Sequence, residues 1–433
     1  MRVSSTSPIH AEDGAALIQV AVAILVLAGF CAFVLDQGVM LLARAQAQNA
    51  ADAGALAGAI ARGFDETTNP PAAGGLAETS ARLAAQANQV GDASGTASVN
   101  VLWTCPTFAT AARCARVDVF RDGTNGSTPL QAYFANLFGI TSQRASASAV
   151  AWATGANSTN CLRPFGVVDN WIENGPATNN LVGEFDSWIK VGNNASKVMT
   201  PDTYVPPNAT STGTGYTVQA NLGAEVLLKG GNNPNSSAGA VSPGWFLPLQ
   251  LPDGNGGYVS GANDYSNAIG TCTGAIVTIG QYLPTETGAM VGPTSQGVDA
   301  LVAQDPNATW DISSQAVINS CAPGCAAFSP RIVPIAVLDI DEFQWRSDAN
   351  DWTTPWIPGQ GAQAGQPGSG SSFSCPIGGR CVRVTNILGF FVEGMSGGQD
   401  VHGRIVMLPG EFATSGTGLT GGASFMTAIQ LIR

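Results

Sequence analysis

Cysteine is the residue type in this sequence whose spacing most directly suggests chemistry, because paired thiols either oxidise to disulfides or bind a metal. Of the nine cysteines, Cys31 lies in an apolar run and the other eight form an even set. Three pairs are close in sequence, and the remaining two cysteines form a fourth pair by elimination: Cys105/Cys114, Cys321/Cys325, Cys375/Cys381 and Cys161/Cys272. Other connectivities stay open, so this pairing is a prediction from proximity.

Zinc is the alternative use of these thiols. No Cys-x2-Cys motif occurs, and His10 and His402 lie far from the cysteine pairs. The arrangement therefore lacks the mixed cysteine and histidine spacing that is typical of structural zinc sites. The sequence predicts disulfides, an oxidising compartment and no metal site.

Catalytic side chains are scarce. With two histidines in the chain, a Ser-His-Asp triad would depend on His402, and no partner nucleophile is predicted for it. Asp339, Asp341 and Glu342 form a small acidic cluster that would suit calcium, although a solvated strand end is the favoured interpretation. The sequence thus predicts no catalytic residue and no cofactor, and an extracytoplasmic hydrolase is the weakest of three functional hypotheses.

Three tryptophans, Trp345, Trp352 and Trp356, fall within twelve residues. Exposed aromatic side chains are typical of surfaces that bind proteins or sugars. The favoured interpretation is that these rings fill the core of a loop-rich domain, and a ligand-binding surface is the alternative.

The element that must position the rest is an apolar run of 21 residues at positions 15–35, without a formal charge. A helix of that length is about 32 Å long, enough to cross a hydrocarbon core of about 30 Å. A cleavable signal peptide is disfavoured, since the run is too long and Glu12 and Asp13 precede it. We expect a cytoplasmic tail at 1–14 and a transmembrane helix at 15–42, with the cysteine-bearing bulk outside.

The helical pattern continues beyond the apolar run to residue 61, rich in alanine, leucine and glutamine and free of proline. Its small residues form a face that either covers the module's own sheet, which we favour, or contacts a partner helix. Five residues of this helix are predicted to take part in helix interactions: Gln19, Gly29, Gly38, Ala50 and Gly54.

The remaining chain predicts an α+β protein with a pilin-like α+β module at 43–154 and a β-rich, loop-rich domain at 155–433. In the module we expect a helix at 75–90, strands at 97–103 and 115–121, a helix from Pro129 and a strand at 142–153. In the second domain we expect five strands, a short helix and a flexible Gly/Gln/Ser-rich loop, at 225–228, 275–279, 332–339, 382–391, 401–407, 296–305 and 359–372 respectively.

The net charge of −12 and the isoelectric point near 4.5 disfavour nucleic acid and anionic membrane surfaces as partners.

Residues 14–153 resemble the TadE/TadG group of tight-adherence (Flp) pilus assembly proteins. The most specific match is LDQGVMLLARAQAQNAADAGALAGA at 35–59, followed by TPLQAYFANLFGITSQRASASAVA at 128–151. Shorter stretches of the C-terminal part, including CLRPFGVVDNW and SPGWFLPL, are similar to larger TadG-like proteins. One departure is Gln19, which stands where pilin-type precursors processed after a glycine carry a glutamate.

The resemblance implies a non-enzymatic, single-pass component of pilus assembly in the inner membrane, whose partners are other assembly subunits and pilins. The alternative is a pilus-associated or surface adhesin that binds a surface ligand through its C-terminal domain.

Overall fold

The computed structural model describes residues 12–65, 70–91, 95–104, 113–174, 183–185, 202–230, 242–321, 328–349, 352–353, 375–413 and 418–432. The chain divides into two compact units: unit 1 comprises Met1–Ala153 and Ile429–Arg433, and unit 2 comprises Thr154–Ala428. Helices and several sheets occur together, which confirms the α+β class. The flexible loop predicted at 359–372 lies outside the described residues.

Among its described residues, unit 1 contains two α-helices, a short 3-10 helix and five strands, besides the end of a strand shared with unit 2. Their bounds are α1 Glu12–Phe64, α2 Leu76–Gln86, β1 Ser98–Leu102, β2 Arg113–Arg121, β3 Leu130–Gln131, the 3-10 helix Ala135–Phe138, β4 Ser142–Gln143 and β5 Ala145–Gly155. The single long helix that the sequence predicts is present as α1, and it runs without proline over 53 residues.

The core of unit 1 is built from small side chains. Strands β1, β2 and β5 form an antiparallel sheet, in which Val101 pairs with Val117 and Arg116 pairs with Val150. The second half of α1 and helix α2 contribute fully buried alanines, including Ala47, and pack with the sheet valines. Alanine on a helix permits close backbone approach, so α1 and α2 can pack closely together.

The segment after Pro129 is a short hairpin, and the helix predicted there is wrong. Leu130 pairs with Gln143 and Gln131 with Ser142, and the loop between them holds the 3-10 helix. That turn ends at Gly139, whose φ of 84° suits glycine. Leu130 lies in a strand and not in a helix, because there its side chain packs with Ala145 and with Ala43 of α1.

Unit 2 contains four α-helices and thirteen strands among its described residues, one of which ends in unit 1. They are β6 Ser158–Thr159, β7 Arg163–Val168, α3 Val218–Asn221, β8 Glu225–Leu228, β9 Phe246–Pro248, α4 Ala262–Gly270, β10 Val277–Thr278, β11 Tyr282–Pro284, α5 Val291–Val302, β12 Thr309–Asp311, β13 Ala316–Ile318, β14 Ile332–Leu338, α6 Ile340–Ala349, β15 Cys381–Ser396, β16 Asp400–Val406, β17 Leu408–Pro409 and β18 Met426–Ile432.

The main sheet of unit 2 runs in the order β8-β16-β15-β14-β7-β9, with β11 also paired to β15. Strands β14 and β7 are parallel and the other pairs are antiparallel. Consecutive residues Ile387 and Leu388 of β15 belong to two different core clusters, so both faces of this sheet are covered. A strand that is buried on both faces tends to have a continuous apolar run, and such runs occur over β14 and over residues 387–392 of β15, which is why the sequence predicts these two strands.

Candidate functional site

Along the apolar run that ends at Leu35, α1 packs against no other element among the described residues. Its large apolar side chains are exposed all round the helix, with Leu25 72% and Phe30 66% accessible. Among the described residues, α1 is the one helix long and apolar enough to cross a membrane; its most apolar window has a mean hydropathy of 2.7 and no buried residue. A core helix would bury this face, so the arrangement is consistent with a membrane anchor.

Three of the predicted interaction residues lie on this open part of α1. Gln19 and Gly38 are exposed, and Gly29 is half-buried. A methyl group added at Gly29 or Gly38 would meet no atom within 4 Å. These positions are therefore available to lipid or to another helix.

The other two, Ala50 and Gly54, lie inside unit 1. Ala50 is 1% exposed. A Cβ added at Gly54 would stand 2.9 Å from the carbonyl oxygen of Ala81 and 2.9 Å from the Cβ of Ala85, both on α2. The small-residue face thus covers unit 1's own helix and sheet, the interpretation favoured from the sequence, and it is not on the outer surface.

Asp36, the first charged residue after the apolar run, holds the β3–β4 hairpin. Its carboxylate oxygens accept backbone N–H groups of Tyr133, Phe134 and Ala135 at 2.5–3.3 Å. Asp36 is 3% exposed. Three donors satisfy a carboxylate that would otherwise be expensive to bury, so the residue fixes the hairpin to α1.

The acidic cluster at the end of β14 is buried, so the predicted solvated strand end is wrong. Asp339 and Glu342 are each 2% exposed. Arg383 contacts both carboxylates, with its Nε 3.1 Å from Glu342, and Arg346 Nε lies 2.8 Å from Glu342. Asp339 also accepts the backbone N–H of Glu342 at 3.0 Å and so caps α6. The positive charges of Arg346 on α6 and Arg383 on β15 offset the cost of burying these carboxylates.

Asp341 lies beside this cluster and is mostly buried. Its burial, together with the charges of Asp339 and Glu342, raises the pKa of the Asp341 carboxyl to about 8. Among the described residues, no group of three or more histidine, cysteine, aspartate or glutamate side chains is arranged to hold a metal ion.

A second buried carboxylate, Asp169, follows β7. It accepts backbone N–H groups from Tyr216 at 2.8 Å and Asn170 at 2.9 Å, and the Tyr204 hydroxyl donates to it at 3.1 Å. Burial raises the pKa of Asp169 to about 7 despite these donors. Tyr204 also reaches the Thr385 hydroxyl at 3.3 Å.

A cavity of about 370 Å³ adjoins this network at Thr385 and is also lined by Arg383. Its size falls in the range of small-molecule sites. Arg383 is already engaged by Asp339 and Glu342, so the cavity does not offer an uncompensated charge to a ligand.

The tryptophan cluster does not form an exposed surface in the part of the chain described. Trp352 packs against the larger core of unit 2, with its ring 6.2 Å from that of Phe343. Trp345 is half-buried, with the Arg346 guanidinium 6.0 Å from its ring. Trp356 lies outside the described residues.

Two predicted disulfides are confirmed: Cys161–Cys272, with Cα atoms 4.7 Å apart, and Cys375–Cys381, at 5.7 Å. Cys114 and Cys321 are also disulfide-bonded. Their predicted partners, Cys105 and Cys325, lie outside the described residues. Cys31 is free and exposed on α1.

One pentapeptide, at residues 394–398, has the Gly-x-Ser-x-Gly spacing of a hydrolase nucleophile elbow. Ser396 ends strand β15 opposite Asp400 in a hairpin, whereas an elbow needs a strand-to-helix turn. On the adjacent strand, His402 Nε2 lies 2.8 Å from Glu225 and Nδ1 lies 3.0 Å from Glu393. Both ring nitrogens face carboxylates, so neither is positioned to activate a serine.

Helix α1 exposes apolar side chains along its first part and packs small residues into unit 1 along its second part. This arrangement is consistent with an α+β protein that one helix holds in a membrane. Residues 14–62 match the model of the Tad family, described as "Putative Flp pilus-assembly TadE/G-like". This confirms the resemblance over the length of α1 and relates the chain to Flp pilus assembly. No curated protein and no solved structure matches the chain.

Proposed function

We propose that this protein is a non-enzymatic, membrane-anchored component of Flp pilus assembly, in which α1 anchors the chain and holds pilus subunits. One observation carries the proposal: the segment that matches the Tad family coincides with a helix whose apolar run, up to Leu35, is exposed and packs against none of the described residues. Such a surface needs either lipid or another transmembrane helix to cover it.

Small residues favour contact between α1 and another transmembrane helix. Burying leucine between helices gains little in lipid, because lipid is equally apolar, so close backbone approach at small residues matters more. Gly29 supplies such a point, and Gln19 can add an interhelical hydrogen bond of about 0.6–2 kcal/mol.

The proposed topology places the N-terminus in the cytoplasm, and it places unit 2 and the part of unit 1 beyond the membrane helix outside the inner membrane. Disulfides support this orientation, since they persist in oxidising compartments. Bonded cysteines occur in unit 1 at Cys114 and in unit 2 at Cys161 and Cys272, so both units belong on the same, oxidising side.

Deleting the gene and restoring it with variants tests the proposal. We expect deletion to abolish pili, and photo-crosslinkers at Val22, Leu25 and Gly29 to capture other pilus-assembly subunits. A crosslinker at Ile312 of unit 2, which is as exposed as Leu25, is the matched control. Gln19→Leu should reduce pilus number modestly.

Two outcomes would contradict the proposal. Normal pili with lost adherence would favour the adhesin alternative. Piliated cells that yield no crosslink from any face of the helix would reduce α1 to a tether.

A further inference from the structure

The β3–β4 hairpin, residues 130–143, runs along α1 towards its apolar half. At the base of the hairpin, Leu130 packs with Ala145 and with Ala43 of α1. At its tip, residues 133–135 donate to Asp36. Asp36 precedes Ala43 by seven residues, which is about 10 Å along a helix axis. The tip therefore stands at the level where the apolar run ends.

The tip exposes large apolar side chains. Tyr133 is 57% accessible, Phe134 47% and Ile140 54%. Over the same length, α1 itself exposes Leu41 at 54% and Leu42 at 60%. Scattered apolar residues on a surface need no explanation, but a group of them at one level of a proposed membrane helix does.

We propose that the hairpin tip inserts into the interfacial layer of the bilayer that α1 spans, so that unit 1 touches the membrane at a second point. The inference rests on the proposed membrane anchoring of α1. Lipid is the occupant because the tip is continuous with the apolar surface of the helix, and because aromatic rings favour the headgroup level, where one edge is apolar and the other wet.

The charged residues nearby agree with this depth. Arg44 follows Ala43 and Arg144 precedes Ala145, and both are exposed at the base of the hairpin. The base is thus the charged end and the tip is the apolar end. Among the described residues, Asp36 is the one charged group that contacts the tip, and backbone donors satisfy its carboxylate, which lowers the cost of its position.

A second contact would restrict how unit 1 tilts and turns on its helix. A single helix leaves the tilt of unit 1 unconstrained, whereas an inserted hairpin fixes the depth of unit 1 and the side of the helix that leans towards the headgroups. The face of α1 opposite the hairpin would then be the one presented to other subunits.

Spin-label accessibility in the full-length protein tests the inference. In a Cys31→Ser background, single cysteines replace Phe134, Ile140, Leu25 or Leu83, and the labelled protein is placed in phosphatidylethanolamine–phosphatidylglycerol vesicles. Leu83 is the matched control, since it is 62% exposed on α2 of the same unit. Collision with oxygen reports lipid, and collision with a water-soluble nickel chelate reports water.

We expect the oxygen-to-nickel ratio at 134 and 140 to be several-fold higher than at 83 and lower than at 25. If the labels at positions 134 and 140 have the same oxygen-to-nickel ratio as the label at position 83, while the label at position 25 is in lipid, the hairpin inference fails and the proposed anchoring stands. If 25 is also in water, the proposed anchoring itself fails. Labels at 134 and 140 shielded from both reagents would mean that protein, not lipid, covers the tip.

Asp36→Ala supplies a second measurement. Without the carboxylate, the tip should leave α1 and the label at 134 should become several-fold more accessible to the nickel chelate, while 25 stays in lipid. An unchanged label at 134 would contradict the role given to Asp36. Asp36→Asn, which keeps one acceptor oxygen, is the conservative control.

Discussion

The cluster of Asp339, Glu342, Arg346 and Arg383 places two negative and two positive charges where almost no water reaches. Charges in such a place are tolerated only when they are paired, and removing one partner typically costs about 3–5 kcal/mol. Asp341 adds a third carboxyl beside Asp339 and Glu342, and burial, together with the charges of those two residues, raises its pKa to about 8. Its neutral form is therefore the one that the folded protein favours near neutral pH.

At the residue scale this gives a pH-dependent prediction for Asp341→Asn. The Asp341 pKa rises from its usual 3.8 to about 8 on folding, so the folded state holds a proton that the unfolded state releases above pH 4. The stability this contributes is complete below pH 4 and is lost as the pH rises through 8. The variant should match the wild type near pH 4 and exceed it at pH 8 by on the order of 1–3 kcal/mol. Urea denaturation followed by tryptophan fluorescence measures the free energy of unfolding of the variant and of the wild type at each pH.

Asp253→Asn is the control of opposite sign. Backbone N–H donors from Asn255 and Gly257 lower the pKa of Asp253, so ionisation there stabilises the fold. That variant should be less stable than the wild type at pH 8. An Asp341→Asn profile parallel to the wild type from pH 4 to 8 would contradict the role assigned to the buried carboxyl.

At the scale of elements, α1 is one helix with two different environments. Its two halves share a composition rich in small and apolar residues, and only the second half meets α2 and the sheet. Glycines at Gly38 and Gly54 make the contrast measurable, because one faces open space and the other faces backbone.

Gly54→Ala is expected to destabilise unit 1, since the new methyl group would press on a carbonyl oxygen of α2 that cannot rotate away. Overpacking of this kind costs about 1–3 kcal/mol. Gly38→Ala, in the same helix, should leave the melting temperature in detergent unchanged or slightly higher. Equal melting temperatures for the two variants would mean that α1 and α2 pack less closely than described.

Elements with long, strong patterns are predictable from sequence here, and pairings between distant residues are not. Helix α1 and strand β14 follow from uninterrupted helix-forming or apolar runs, and β15 follows from its apolar segment at 387–392. The burial of Asp339 depends on Arg383, 44 residues away, and the hairpin conformation depends on Asp36, 97 residues before Tyr133. Composition after Pro129 favours a helix, but tertiary contacts determine the outcome.

At the scale of the whole molecule, unit 1 is not a continuous stretch of chain. Strand β18 begins in unit 2, and its last residues, from Ile429, belong to unit 1, where β18 is the neighbour of β5. Ile429 and Leu431 pack against the alanine-rich core, and Trp152 Nε1 donates to Gln430 Oε1 at 3.1 Å. Nothing in the local sequence distinguishes these residues from an ordinary C-terminal strand of the second domain.

Removing residues 429–433 should therefore loosen a unit that begins more than four hundred residues earlier. Without them β5 keeps its pairing with β2 but loses most of its neighbour on the other edge, and part of the apolar core loses its cover, for an expected loss of about 1–3 kcal/mol. Hydrogen exchange should accelerate in β5, while the main sheet of unit 2 keeps its protection. Gln430→Ala is the matched control, because it removes one side-chain hydrogen bond and keeps the strand. Unchanged protection of β5 in the truncated protein would show that unit 1 is complete without its C-terminal residues.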